Sequence, residues 1–265
     1  MTADLVSTLA GLAVVLTVGS AGYFNRSIDR SGFVAGLLVG IVFVLGGGLP
    51  ATFMLITFFL VGSAFTKYKY GLKEELGAAE LKGGARTWKN VAANLLFPTS
   101  MLLLYSLTSW EPAMLAFVSS LAGALSDTLG SEIGVLSTDP PIMIHTLRRV
   151  PPGTSGAISP LGTLASLIGA LLIAIEAFSF SMIGPNQLLL AVSLGFSCSL
   201  IDSLLGALLQ VRYRCVEEDR IVEDPSLCNG SARPVRGLKW LDNHAVNLIS
   251  TGVVALISTA TGVVL

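Results

Sequence analysis

The stretch SGFVAGLLVGIVFVLGGGLPATFMLITFFLVGSAFT, from Ser31 to Thr66, carries no charged residue. As one helix it would be about 54 Å long at 1.5 Å per residue, far beyond a hydrocarbon core of about 30 Å. Gly46-Gly47-Gly48-Leu49-Pro50 stands at its middle, so two membrane helices joined by a tight hairpin are predicted there. Working outward, the chain divides into eight apolar spans: Leu5 to Phe24, Ser31 to Leu49, Pro50 to Thr66, Asn90 to Leu107, Pro112 to Leu136, Ser159 to Ala177, Gln187 to Leu209 and Ala245 to Leu265. The expected fold class is all-α, a polytopic transmembrane helix bundle forming a single membrane domain over residues 1–265.

Charge supports the count. All 16 Lys and Arg residues fall in four segments: Arg26 and Arg30, Lys67 to Lys89, Arg148 and Arg149, and Arg212 to Lys239. With eight spans every odd-numbered connection is basic and every even-numbered one is not, which is the bias of a protein with one cytoplasmic face. Both termini are then expected on the non-cytoplasmic side. The composition agrees: 52% hydrophobic and 12% charged, against about 25% charged for a soluble domain, with a mean hydropathy of +0.75. The 28 glycines suit helices that pack closely in lipid. The localisation is therefore that of a multi-pass integral membrane protein, in a membrane the sequence does not name. The basic loops are too short for a nucleic-acid module, so no nucleic-acid partner is expected.

The longer loops, 67–89, 137–158 and 210–241, all lie on the basic side. Tyr68 to Lys89 is expected to include a short interfacial helix. Val211 to Leu241, with Pro225, Gly230 and Pro234, is expected to be irregular or partly mobile. Cys215 and Cys228 share that loop, and on a side facing a reducing compartment free thiols are expected. Without a CxxC motif or a neighbouring His, they make no metal site. Two sequons, at Asn25 and Asn229, lie on the same side and are expected to remain unglycosylated. Leu5 to Phe24 is too long for a signal-peptide core, and no transit peptide is expected.

Candidate chemistry begins with carboxylates inside the spans, because burying one costs several kcal/mol, of order 2.5–3.5 on insertion scales, unless it is compensated. Asp127 and Glu132 lie late in the fifth span, Asp202 late in the seventh, and Asp242 opens the eighth, all toward the basic face. Asn94, Asn243 and Asn247 share that depth. Asp127, Ser131 and three glycines occupy one helix face, as do Asp202, Gly206 and Gln210. Small neighbours around acids suit an oxygen-lined pocket for a hard cation such as Mg²⁺, with Asp127, Asp202 and Glu132 as metal ligands. The bland alternative is that these acids cap helices or pair with loop arginines, and for Asp242, at a helix start, it stands level with function.

Arg148-Arg149-Val150-Pro151-Pro152-Gly153-Thr154-Ser155-Gly156 precedes the sixth span. Glycines and small hydroxyl residues before a helix form a phosphate cradle in many sites, though the P-loop spacing is absent. Ser63, Thr66, Lys67 and Lys69 end the third span on the same face, where lysines also serve as snorkelling anchors. His145 and His244 suit surface or capping roles better than catalysis.

Taken in order, five blocks resemble the integral membrane family that includes phytyl-phosphate kinase and transmembrane protein nineteen. They are Gly62 to Lys69, Ser126 to Glu132, Pro152 to Gly156, Asp202 to Ala207 and Leu241 to Asn247, and the match runs from about Asp29 to the C-terminus. The chain departs from the family pattern at Leu129, Gly130, Ser155 and Ala157. The resemblance implies a CTP-dependent kinase that converts an isoprenyl monophosphate, such as phytyl phosphate, to the diphosphate. Its partners would be that lipid, the nucleotide and the bilayer.

The attacking phosphate oxygen is already ionised near neutral pH, so the chemistry needs positioning and charge neutralisation rather than a general base. On this reading Asp127 and Asp202, assisted by Glu132, hold Mg²⁺. Lys67, Lys69, Arg148 and Arg149 clamp phosphates, and the backbone of Gly153 to Gly156 cradles them. Ser63, Thr66, Asn94, Ser131, Asp242, Asn243 and Asn247 complete the substrate and nucleotide shell. The rival class is an ion-coupled secondary transporter that uses the same intramembrane carboxylates. Against it stands the uncharged half of the bilayer, with Asp4, Glu111 and Glu176 at its rim.

Overall fold

The computed structural model describes residues 5–219 and 221–264; Asp4 and Leu265, the expected rim acid and final residue of the last span, lie outside them. The helices are α1 (Leu5–Phe24), α2 (Arg30–Lys67), α3 (Tyr70–Glu75), α4 (Leu81–Gly84), α5 (Trp88–Thr108), α6 (Glu111–Gly134), α7 (Pro160–Ser179), α8 (Pro185–Leu208) and α9 (Asn243–Val264). Among the described residues, seven helices are long and apolar enough to cross a membrane. One of them, α2, is two arms rather than a rod.

Gly48 breaks α2 with φ 64° and ψ −155°, a conformation that glycine adopts without the steric penalty of a Cβ. Residues 32 and 62 would lie about 45 Å apart along a straight helix. Instead both meet Arg86: Gly32 lies against its carbonyl, and a Cβ on Gly62 would sit 2.9 Å from its Nη2. The arms therefore fold back on each other at the glycine run, as the length of Ser31 to Thr66 requires, so that α2 supplies two arms of span length. The helix starts carry caps. Asp29 Oδ1 accepts from Gly32 N at 2.9 Å, and Thr87 N donates to Asn90 Oδ1 at 2.8 Å in a capping box that begins α5.

The buried axis is α6, packed against α5, α7, α8 and α9. Its apolar residues from Ala113 to Leu125 are almost wholly enclosed. Close crossing depends on small residues: a Cβ on Gly134 would stand 3.2 Å from the Cα of Gly162 on α7. Phe43 of α2 meets Phe117 edge to face at 5.4 Å within the same core. Large apolar side chains such as Leu9, Leu38, Leu103 and Leu189 point outward, because the solvent for this surface is lipid.

The basic-side loops are structured. β1 (Ile142–Met143) pairs antiparallel with β2 (Ala157–Ile158). β3 (Arg212–Cys215) lies between β4 (Ile221–Val222) and β5 (Ala232–Arg236), antiparallel to both. The expectation of an irregular Val211 to Leu241 segment is thus corrected: three short strands pair there, with Pro234 inside the edge strand β5 opposite Tyr213 and Pro225 in the turn that follows β4. The expectation of free thiols is corrected too. Cys215 and Cys228 form a disulfide, with Cα atoms 5.3 Å apart. Charge bias speaks to a loop's side of the membrane, whereas the pairing is decided by the strand that brings the two residues together. Cys198 is buried and free, as its place in an apolar span suggests.

Candidate functional site

Six separate stretches of chain close around one cavity of about 300 Å³. Its walls are the C-terminal turns of α6, the start and first turns of α7, the end of α8, and the loops at 77–81, 153–159, 223–227 and 242–244. All those loops belong to the basic-side connections. The small residues of the three helices make the opening: Gly130 faces Ser166 and Ser199, whose hydroxyls are 3.0 Å apart.

Asp127 and Asp202 both line this cavity and lie within electrostatic reach of each other. Asp202 Oδ2 accepts from Ser250 Oγ at 3.1 Å. Asn247, with its amide nitrogen turned inward, donates to the same oxygen at 3.1 Å and to the Asn243 carbonyl at 2.8 Å. Asp127 has no side-chain hydrogen bond among the described residues; beyond the helix ladder, its backbone carbonyl accepts from Ser131 Oγ at 3.0 Å. Asp242 caps α9, accepting from Ala245 N at 2.9 Å, while also lining the cavity. Ser131, Glu132, Gly153, Thr154, Ser155, Gly156 and Asn243 line it as well.

Other expected members stand elsewhere. Lys67 Nζ donates to the carbonyl of Asn25. Lys69 lies 5.6 Å over the ring of Tyr68. Arg148 and Arg149 are exposed on the loop before β2, with Arg149 paired to Ile142. The four expected clamp residues thus stand off the cavity wall, which among the described residues carries no Lys or Arg. Charge located the face, but long flexible side chains on that face found nearer acceptors. Ser63 and Asn94 are buried and off the cavity wall, the Ser63 hydroxyl and Asn94 Oδ1 without partners.

Glu132 also differs from expectation. Its Oε1 accepts from Thr66 Oγ1 at 2.7 Å, and its Oε2 pairs with Lys73 Nζ at 2.6 Å. Among the described residues it forms no metal-holding cluster with Asp127 and Asp202. Lys73 is fully buried and also donates to the Phe65 carbonyl at 2.6 Å. Arg86 Nη2 donates to Thr66 Oγ1 at 3.3 Å; burial pushes its guanidinium below the usual arginine range, against the pull of Glu132 and Glu80. This polar knot joins α2, α3, α5's approach and α6 beside the cavity.

Several wall residues were not singled out in the sequence. Glu80, Glu223 and Asp224 line the cavity, as does His244, which the sequence suits to a surface or capping role, and Lys73 and Arg86 reach Glu132 and Thr66 beside it. Glu80 and Glu223 lie in mixed-charge loops, where nothing marks one acid as turned inward. Burial raises the Glu223 carboxyl above the usual range, while Arg212, Gln210 and Ser155 pull it back. Arg212 is lowered by burial, and its Nη2 donates to the Ser155 carbonyl at 2.6 Å. Ser155 Oγ donates to Gln210 Oε1 at 2.7 Å. At Gly156, φ is 76° and a Cβ would run into Ala207, so the loop lies directly on the end of α8.

The wall thus has two chemistries. Around Asp127 and Asp202 it is mostly acceptor oxygen facing open space. At Ser155 and Glu223 it is backed by the donors of Gln210 and Arg212, which lie behind the wall. The first fits Mg²⁺, which is commonly held by one or two carboxylates with substrate phosphates and waters completing its shell.

Comparison with known proteins places the chain among membrane proteins. The family model described as integral membrane protein DUF92 matches residues 13–255. An uncharacterized membrane protein of Methanocaldococcus jannaschii is 34% identical over 187 residues, covering 70% of this chain and 76% of the relative. Protein PGR of Arabidopsis thaliana is 29% identical over 265 residues, covering 90% and 91%. The chloroplastic protein VTE6 of the same plant is 26% identical over 257 residues, covering 95% and 70%. No solved structure matches.

Proposed function

We propose that this chain, which belongs to the integral membrane protein family DUF92, is a nucleotide-dependent kinase that converts a membrane isoprenyl monophosphate to its diphosphate. CTP is the proposed donor and a phytyl phosphate-like lipid the acceptor, both from the resemblance of the five sequence blocks. The observation that carries the reading is the cavity itself: aspartates from two span-length helices share one wall with a glycine-bearing loop, among the connections that hold the basic residues.

In the proposed reaction an ionised oxygen of the lipid phosphate attacks the terminal phosphorus of the nucleotide. One P–O bond forms, the bond to the bridging oxygen breaks, and the nucleoside diphosphate leaves. Asp127 and Asp202 would hold Mg²⁺, which supplies charge neutralisation on the transferring phosphates. Ser250 and Asn247 orient Asp202 by hydrogen bonds to one oxygen, leaving its other oxygen free to turn toward the cavity. The loop from Gly153 to Gly156 positions phosphate oxygens, and α6, α7 and α8 exclude water from behind. No proton needs to be removed from the nucleophile, consistent with a wall whose one histidine is His244.

A transporter would need a route from both faces. The cavity's described walls include none of the turns at 46–50, 109–111 or 180–184 on the opposite side, which favours the enzyme. The test is phosphate transfer from CTP, UTP, ATP or GTP to a panel of prenyl monophosphates by the purified protein in detergent. Asp127→Asn and Asp202→Asn are each expected to reduce transfer by at least a hundredfold, on the scale of losing a charge-stabilising group of about 2.7–4 kcal/mol, while insertion is retained. Near-normal transfer in either variant removes the metal assignment, and absence of transfer in the unaltered protein with every pair removes the kinase.

A further inference from the structure

The donors behind the Ser155 side of the cavity already hold a carboxylate of the protein itself. Glu223 lies between β4 and the short turn Pro225–Leu227, outside the helix bundle, yet its side chain reaches the loop at Ser155. Gln210 Nε2 donates to Glu223 Oε2 at 3.1 Å. Ser155, whose hydroxyl donates to the same Gln210 side chain at 2.7 Å, and the Arg212 charge both act on that carboxylate against the effect of burial. Among the described residues Arg212 Nε is buried without a partner, so this corner keeps an unused donor near its resident anion.

A group that only accepts, held by an amide N–H beside a serine loop and a guanidinium charge, is in the position of a phosphate oxygen. A cation ligand would be placed differently, with lone pairs directed at open space, as Asp127 is. We propose that Ser155, Gln210 and Arg212 form a phosphate-binding subsite in which Glu223 is a built-in stand-in, so that a substrate phosphate binds by displacing it. The identity of that phosphate rests on the kinase reading; the subsite does not. Glu223 belongs to the segment closed by the Cys215–Cys228 disulfide, and that tether keeps it within reach after it leaves. The empty enzyme would then hold its cradle neutralised and its loop ordered, and the phosphate would take over the same donors.

The experiment is calorimetric titration of inorganic pyrophosphate, without nucleotide or Mg²⁺, onto the full-length protein in detergent. Glu223→Gln and Glu223→Ala are both expected to bind pyrophosphate roughly tenfold tighter than the unaltered chain, about the effect of removing one charged competitor. Adding Arg212→Ala to either variant is expected to abolish the gain. Unchanged or weaker pyrophosphate binding in both Glu223 variants overturns the proposal, as does a gain that survives Arg212→Ala. Loss of Mg²⁺ binding in Glu223→Gln also overturns it, by placing Glu223 on the cation. Should pyrophosphate behave as expected while no prenyl phosphate is ever phosphorylated, the kinase falls and the subsite stands.

Discussion

Lys73→Met tests the polar knot beside the cavity. In the native protein Lys73 Nζ lies 2.6 Å from Glu132 Oε2, with the lysine side chain fully buried and the glutamate 13% exposed. The same ammonium donates to the carbonyl of Phe65 at 2.6 Å, near the end of α2. Removing it leaves a largely buried carboxylate with the Thr66 hydroxyl as its remaining direct partner. Breaking a buried pair from one side costs about 3–5 kcal/mol. Arg86 lies close enough to Glu132 to feel its charge, so the lower end, about 3 kcal/mol, is expected here.

The double variant Lys73→Met with Glu132→Gln removes both charges and is expected to recover most of that loss, since neutral replacements of a buried pair often cost little. Reversible unfolding in mixed micelles at increasing SDS fraction, followed by tryptophan fluorescence, measures both. The reasoning is refuted if Lys73→Met unfolds within about 0.5 kcal/mol of the native protein, the range of an ordinary surface change. It is refuted equally if the double variant is no more stable than the single one.

Two further outcomes follow from the backbone and caps. Burial pushes the Asp29 carboxyl up, but the Ser31 hydroxyl, the Gly32 N–H and Lys82 outweigh it and bring it down to about 2. A lowered carboxyl stabilises the fold fully above its unfolded value near 3.9 and loses that contribution as pH falls toward 2. Thermal unfolding between pH 5 and 2 is therefore expected to fall less steeply in Asp29→Asn than in the native chain; equal slopes exclude the cap as a cause. Gly48→Ala forces a Cβ onto φ 64° and is expected to lower stability by about 1–2 kcal/mol, measured in the same micelles, whereas Gly36→Ala, with open space around its Cβ, is expected to cost nothing comparable.

The transmembrane architecture was legible because its causes are additive along the chain. Span length against bilayer thickness demanded a break between Ser31 and Thr66, and Gly48 supplies it. The segregation of lysine and arginine gave the alternation of loops, and the small residues near Asp127 and Asp202 marked helices that approach closely. Convergence of those two aspartates followed from depth: two spans running in one direction carry late residues to one level.

The hidden part depended on direction and reach. Lys67, Lys69, Arg148 and Arg149 share the right face, but a long side chain takes the nearest acceptor, and sequence does not say where that lies. Lys73 reads like any interfacial lysine until α3 folds under the end of α2 and closes it against Glu132. Glu223 reads like any loop acid until three short strands and the Cys215–Cys228 bond carry it to Ser155. Hydropathy and charge, summed over a span, decided which segments enter the membrane and which face is polar. Contacts between residues far apart in sequence decided which charges meet, because each such contact depends on the position of an entire neighbouring element rather than on local composition.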